Sequence, residues 1–197
     1  AHHEGLPVMR PMVFEFPKDP AVDYLDRQYM LGESLLVAPV FREDGVVDYY
    51  LPHGKWTHLL NGDIKEGGRW YQDSYDYFSL PLYVKENTLL AIGANSTRPD
   101  YRYAEGITFH LYALSNHIKV VCEVPNLKGE TDLVAAAELK DQVLTLALSK
   151  GTNSVSFILH GINSIKSAKN AKFETTKEGI KIIPTDVNIE IELSSRR

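Results

Sequence analysis

Hydrophobic and polar positions alternate from the start of the chain. In LPVMRPMVFEF (Leu6 to Phe16), Val8, Met12, Phe14 and Phe16 share one parity, interrupted only by Arg10, which predicts a strand. Pro7 and Pro11 suit an edge or bulged strand better than a central one. The rhythm then changes. In DPAVDYLDRQYMLG, Asp19 can cap a helix, Pro20 fits its first position, Val22, Leu25 and Tyr29 share a face, and Gly32 can end it. From LLVAPVF onward the pattern is that of strands. Asp44-Gly45 and Asn61-Gly62 predict tight hairpin turns, since both favour positive φ. Between them and beyond, Val46–Leu51, Lys55–Leu60, Arg69–Tyr71 and Phe78–Val84 are rich in aromatic and β-branched residues.

Turn signals recur at Gly67-Gly68, Lys128-Gly129, Lys140-Asp141, His160-Gly161 and Glu178-Gly179. They bound further strands near Ile107–Leu114, Ile118–Val124, Asp132–Leu139, Val143–Leu148, Ser154–Leu159, Ala171–Thr175, Ile180–Ile183 and Asn188–Leu193. Many short strands at regular spacing with one short helix predict an all-β chain of sandwich type. Both tryptophans and most tyrosines precede residue 97, after which Lys, Ser, Thr and small aliphatics dominate. The segment GANSTRPDYRYAEG (Gly93 to Gly106) is polar and turn-forming, as a domain boundary would be. Two β-sandwich domains are therefore expected, at residues 6–97 and 98–197, with the short helix in the first. Ala1-His2-His3-Glu4-Gly5 reads as the last turn of a helix closed by glycine, so residues 1–5 are expected to end a preceding element.

Composition narrows the function. A net charge of −5 argues against a nucleic-acid partner, which would show a clustered basic face. No apolar run reaches the roughly 18–20 residues of a membrane span, and no signal peptide opens the chain. The single Cys122 excludes an internal disulfide framework and reads as a half-buried strand thiol. A soluble cytoplasmic protein is expected.

Candidate chemistry is sparse. His2, His3 and Glu4 are adjacent, and neighbours on a helix point about 100° apart, so they read as a solvated end rather than a metal site. His53 and His58 flank Lys55-Trp56; Trp56 and His58 would share a strand face, on which a sugar could stack or a hairpin could pack. RWYQDSYDYF (Arg69 to Phe78) is the most suggestive cluster. Trp56, Trp70, Tyr71 and Tyr75 could stack on sugar faces while Asp73 and Asp76 accept hydroxyl protons. The same stretch also reads as an aromatic strand packing on a neighbouring domain. Glycoside hydrolysis needs a rigid carboxylate pair about 5–9.5 Å apart with one acid's pKa raised, and Asp73 and Asp76 fall in a predicted loop. Ser34, Ser74 and Ser79 lack a G-x-S-x-G elbow, and the glycines form no phosphate loop. No catalytic residue, cofactor or metal is expected within this chain.

GLPVMRPMVFEFPKDP, LDRQYMLGESLLVAPVF, YYLPHGKWTHLLNGDIKEGGRW and SLPLYVKENTLLAIG resemble the C-terminal portion of glycoside hydrolase family 31. With DRQYMLG and RPDYRYAEG they look most like its bacterial α-xylosidases. The match is dense over residues 1–114 and fades through the last 80. The resemblance implies an upstream catalytic (β/α)₈ barrel that holds both catalytic aspartates, followed by a proximal and a distal β-sandwich. Ala1–Gly5 would then close the barrel's final helix. It further implies a retaining α-xylosidase acting on oligosaccharides without a cofactor. In it this chain braces the barrel and contributes to oligomer contacts. An α-glucosidase of the same family, or an independent carbohydrate-binding module, are the other readings. Alone, the chain is expected to hydrolyse nothing and to expose an apolar face that promotes self-association.

Overall fold

The computed structural model describes residues 5–151 and 154–194. The expected helix end at residues 1–5 lies outside the described residues except for Gly5, which sits in a turn with φ +67. The chain forms two compact units, Ala1–Glu86 and Asn87–Arg197. Both are β-sandwiches, as the alternation predicts. Among the described residues no helix is long and apolar enough to cross a membrane.

The first unit contains β1 (Met9–Pro11), α1 (Met12–Glu15), a 3₁₀ turn (Pro20–Val22), β2 (Tyr29–Leu31), β3 (Leu35–Val37), β4 (Val46–Leu51), β5 (Lys55–His58), β6 (Ile64–Glu66), β7 (Arg69–Ser74) and β8 (Leu82–Lys85). Six strands make one sheet in the order β1-β2-β3-β8-β5-β6, and β4 pairs antiparallel with β7 as a separate ribbon. Met12, Met30, Leu36, Tyr49, Leu51, Trp56 and Tyr83 fill the core between them.

The first thirty residues depart from the expected pattern. The strand predicted over Leu6–Phe16 is cut to β1, and the next four residues coil into α1. Arg10 decides this: its guanidinium, nearly buried, donates to the Pro7 carbonyl at 2.8 Å and pairs with Glu15 at 2.5 Å. That pairing draws Glu15 back toward β1, and Phe14 is left exposed. The helix predicted from Asp19 shrinks to one 3₁₀ turn. Its cap is real, with the Asp19 carboxylate accepting from the Ala21 N–H at 3.0 Å. Gln28 prevents extension: its side-chain amide donates to the Tyr50 carbonyl at 2.7 Å and accepts from the Tyr50 N–H at 2.8 Å. A buried amide locked to β4 holds the chain extended, so Tyr29 starts a strand. Short helices are marginal without tertiary support, and the sheet offers more. Nor is Asp44-Gly45 a hairpin, because β3 and β4 lie in different sheets. Gly45 (φ +75) turns the chain beside the Tyr75 carbonyl, which an added Cβ would meet at 2.2 Å.

The second unit comprises β9 (Thr88–Ile92), β10 (Thr108–Tyr112), β11 (Lys119–Pro125), β12 (Thr131–Lys140), β13 (Val143–Leu148), β14 (Ser156–His160), β15 (Ile165–Lys169), β16 (Ala171–Thr175), β17 (Gly179–Pro184) and β18 (Asn188–Leu193). Two five-stranded sheets, β16-β17-β14-β10-β9 and β11-β12-β13-β18-β15, face each other. Alternate residues supply the core: Phe109, Leu111, Phe157, Leu159 and Ile182 from one sheet, Leu133, Ala135, Ala137, Leu144, Leu146 and Ile191 from the other. Asp141 and Gln142, both at positive φ, form the two-residue turn of the β12–β13 hairpin.

The expected boundary moves. β9 pairs with β10 from Ile92↔Thr108 to Thr88↔Tyr112, so Gly93–Gly106 is a loop inside the second unit rather than the linker. The units divide at Glu86/Asn87 instead of residue 97. Composition marks which residues are aromatic, whereas pairing decides which sheet a strand joins.

Candidate functional site

The structure separates the aromatic cluster singled out in the sequence into three environments. Trp56 is fully buried on β5, with its indole N–H donating to the Pro52 carbonyl at 2.7 Å. It has no surface on which a sugar could stack, which corrects that expectation for this residue. Trp70 faces the other way on β7, 55% exposed, its ring 5.7 Å from Tyr50. Asp76 is exposed in the loop after β7, where its carboxylate accepts from the Phe78 N–H at 3.0 Å and the Ser79 hydroxyl at 2.6 Å. These bonds fold the loop and hold the carboxyl below its usual range.

Tyr71, Asp73 and Tyr75 share the inward parity of the β7 segment and meet partners from four other strands. Tyr71 stacks on Tyr49 at 5.8 Å, and Tyr49 stacks on Tyr83 at 5.6 Å. Tyr75 stacks on His58 at 6.0 Å, and the His58 ring meets Tyr83 edge-on at 4.9 Å. Asp73 accepts from the Tyr49 hydroxyl at 2.5 Å and from the Lys65 ammonium. Lys65 also donates to the Tyr49 oxygen at 2.8 Å and sits 4.5 Å from the Tyr71 ring centre. Lys65, Tyr49 and Tyr83 were missed in the sequence because their meeting depends on the β4–β7 register and on β8 joining β5.

The electrostatics of this cluster suit a brace. Desolvation pushes the Asp73 carboxyl up, but the Lys65 and Tyr49 hydrogen bonds and the Lys65 charge outweigh it, leaving the group below the ordinary range. It stays a carboxylate and cannot serve as a proton donor near neutrality. Burial first, then hydrogen bonds from neighbours, raise the Tyr49 phenol. Burial lowers His58, whose Nε2 meets the Leu80 carbonyl at 3.0 Å while Nδ1 accepts from the Leu60 N–H at 3.3 Å. That arrangement requires a neutral ring with its proton on Nε2.

Around Trp70 the first unit also presents an open aromatic cleft of about 280 Å³. Tyr24 (96% exposed), Phe41 (71% exposed) and Trp70 line it, with Arg27, Arg42 and Asp48 among the polar lining. Tyr77 and Phe78, on the loop after β7, are also exposed. Contiguous exposed apolar patches are where partners or ligands commonly bind.

In the second unit, a cavity of about 450 Å³ is lined mainly by aliphatic residues, Leu111, Leu114, Leu139, Leu144 and Ile162 among them, with His160 at its wall. His110 and His160 lie against each other, Nδ1 to Nε2 at 2.8 Å, and Tyr112 stacks on His160 at 4.2 Å. Burial, then the neighbouring His110, pushes His160 down to about 4. This pair was not foreseen; alternation puts each histidine on the face opposite the core, but only the parallel β10–β14 pairing brings the two together.

Comparison with known proteins accounts for both units. The family model described as the glycosyl hydrolase family 31 C-terminal domain matches residues 5–90, and that of the alpha-xylosidase YicI C-terminal domain matches residues 102–194. An alpha-xylosidase, XylQ, of Lactiplantibacillus pentosus is 36% identical over 115 residues, covering 57% of this chain and 15% of its own length. An alpha-xylosidase of Emericella nidulans is 36% identical over 114 residues, with 54% and 15% covered. The chain thus spans about 15% of the length of these curated relatives. A Flavobacterium johnsoniae GH31 dextranase complexed with isomaltotriose superposes with a TM-score of 0.83 at 20% identity, over 98% of this chain and 30% of the dextranase. A cycloalternan-forming enzyme of Listeria monocytogenes gives 0.79 at 18% identity, over 94% and 20%. These two show the same fold.

Proposed function

Since the chain belongs to glycoside hydrolase family 31 and comprises its C-terminal β domains, we propose that it braces the catalytic barrel of a retaining α-glycosidase specific for α-linked xylose. One observation carries this: both units match C-terminal domain models of the family, and the second of these is that of an α-xylosidase. The α-xylosidases among its relatives support the same substrate.

In such an enzyme two carboxylates about 5–5.5 Å apart carry out a double displacement, one as nucleophile and one as acid/base. Barrel enzymes mount these groups at the C-terminal ends of their strands. Here Asp73 is bound to Lys65 and Tyr49, and Asp76 is spent on its own loop. On this reading neither acts chemically, and the chain alone turns over nothing. The exposed aromatic face around Trp70 is where the barrel would dock, and without it the same face favours homo-oligomers. Sugar contact by Trp70, Tyr71 or Tyr75 would be secondary. The single Cys122 suits a cytoplasmic enzyme.

The test is an assay of the chain with aryl α-xyloside and aryl α-glucoside, alone and with the barrel portion added. No turnover alone, and xyloside-selective turnover with the barrel, is the expected result. Turnover by the chain alone that is lost in Asp73→Ala or Asp76→Ala would overturn the non-catalytic reading. Glucoside preference in the reconstituted enzyme would overturn the xylose assignment.

A further inference from the structure

In the second unit, β10 and β14 run parallel with Phe109 opposite Phe157 and Leu111 opposite Leu159. Those four side chains enter the core, so His110, Tyr112 and His160 share the opposite face. There the imidazoles turn their nitrogens toward one another, His110 Nδ1 to His160 Nε2, at 2.8 Å with the rings 27° from parallel. Glu178 completes the group: one carboxylate oxygen and one ring nitrogen from each histidine all lie within 4.8 Å of one another.

Each member is held in place. Tyr112, buried, stacks on His160 within 10° of parallel. The loop carrying Glu178 is closed by the Thr176 N–H and hydroxyl, which both donate to the Gly179 carbonyl, at 2.8 and 2.9 Å. Gly179 (φ +142) runs so close to the Leu159 carbonyl that an added Cβ would lie 2.1 Å from it. Among the described residues no lysine or arginine forms an ion pair with Glu178. The Glu178 carboxyl group thus faces the two imidazoles without an ion pair of its own among the described residues.

We propose that His110, His160 and Glu178 form a binding site for a divalent transition-metal ion, zinc by preference. Imidazole nitrogen with carboxylate oxygen is a donor set that suits zinc, and three protein ligands leave the fourth tetrahedral position to water. Zinc–nitrogen bonds of about 2.0–2.1 Å put two tetrahedral ligand nitrogens roughly 3.3 Å apart, so the pair must open by roughly half an ångström and each ring must turn its lone pair off the line between the nitrogens toward the metal. In the free protein one facing nitrogen donates its proton to the other. On binding, that proton moves to the far nitrogen of the same ring, and both facing lone pairs point at the metal. Neither ring changes charge. Glu178, the most exposed of the three, would be the point of entry.

The test is calorimetric titration of zinc chloride into the full chain, with calcium chloride as the oxygen-preferring control. One saturable zinc site and no calcium site are expected. Glu178→Gln, on an exposed loop, and His160→Gln should each weaken zinc at least about tenfold, a loss of the size seen when a metal-site residue is changed. His2→Ala with His3→Ala should leave binding unchanged. Nitrogen-15 NMR should show His110 Nδ1 and His160 Nε2 shifting on zinc addition. No saturable binding, or binding indifferent to Glu178→Gln, would overturn the proposal. So would a zinc site abolished by the His2/His3 variant.

Discussion

The fully buried large side chains of the first unit include Trp56, Tyr49 and Tyr83, each with a polar atom that must find a partner. The core of the second is built from Leu, Ile, Ala, Val and the pair Phe109–Phe157, whose rings stack at 5.3 Å. The first unit solves burial with a network: indole to carbonyl, phenol to carboxylate, ammonium to both. The second solves it by alternation, strand after strand. The surfaces differ in the same sense. Tyr24, Phe41, Trp70, Tyr77 and Phe78 stand exposed on the first unit, against Phe173 alone among the strongly exposed aromatics in the described residues of the second. The core of the second unit is thus aliphatic apart from that pair, with Tyr112 and His110 buried on the other face of their sheet, whereas the first carries its polar aromatics within the core itself.

Tryptophan fluorescence separates the two units, because Trp56 and Trp70 both lie in the first. Phe157→Ala should cost about 3–5 kcal/mol, a cavity in a close-packed core. Far-UV circular dichroism should then show an early transition while the fluorescence midpoint stays put. An equal shift of both signals would mean the two units unfold as one. Trp56→Ala should cost a similar amount, about 3–5 kcal/mol, but in the first unit. NMR peaks from Leu146 and Ile191 should persist at temperatures where those from Met30 have gone.

Next in size is the ion pair. Its side chains are 21% and 36% exposed, so Lys65→Met should cost about 1–2 kcal/mol by urea denaturation, less than a fully buried pair. A double-mutant cycle with Asp73→Asn isolates the coupling, and a coupling near zero would reduce the network to packing.

The smallest effect concerns pH. His58 is lowered by burial in the folded chain, so the unfolded chain takes up its proton first. The stability this contributes is complete above the unfolded value of about 6.5 and declines as pH falls below it. Protonating Nδ1 would set it against the Leu60 N–H. The fluorescence midpoint should therefore drop between neutral and mildly acid pH, and His58→Gln should flatten that slope. An unchanged slope would mean that His58 does not set the pH dependence.

Most of the strand series was legible in the sequence. Val46–Leu51, Val143–Leu148, Ala171–Thr175 and Asn188–Leu193 have the same bounds in both readings, because alternation and turn residues there agree with the final pairing. β15, with only Ile165 and Ala168 apolar, was not legible; β18 alone makes it a strand. The first thirty residues failed for a related reason, since Arg10 and Gln28 act through partners that spacing does not name. The candidate site divides in the same way. The β7 aromatics announce themselves, but the choice of which turn inward is made by β4.

On the proposed function, the aromatic face of the first unit holds a catalytic barrel. Sedimentation of this chain with the separately prepared barrel portion tests it most directly. A one-to-one complex is predicted, weakened at least about thirtyfold by Phe41→Ala with Trp70→Ala, as expected when central aromatic anchors are lost. Phe173→Ala, on the second unit, should leave the complex intact. No complex, or equal loss from Phe173→Ala, would show that this face does not hold the barrel.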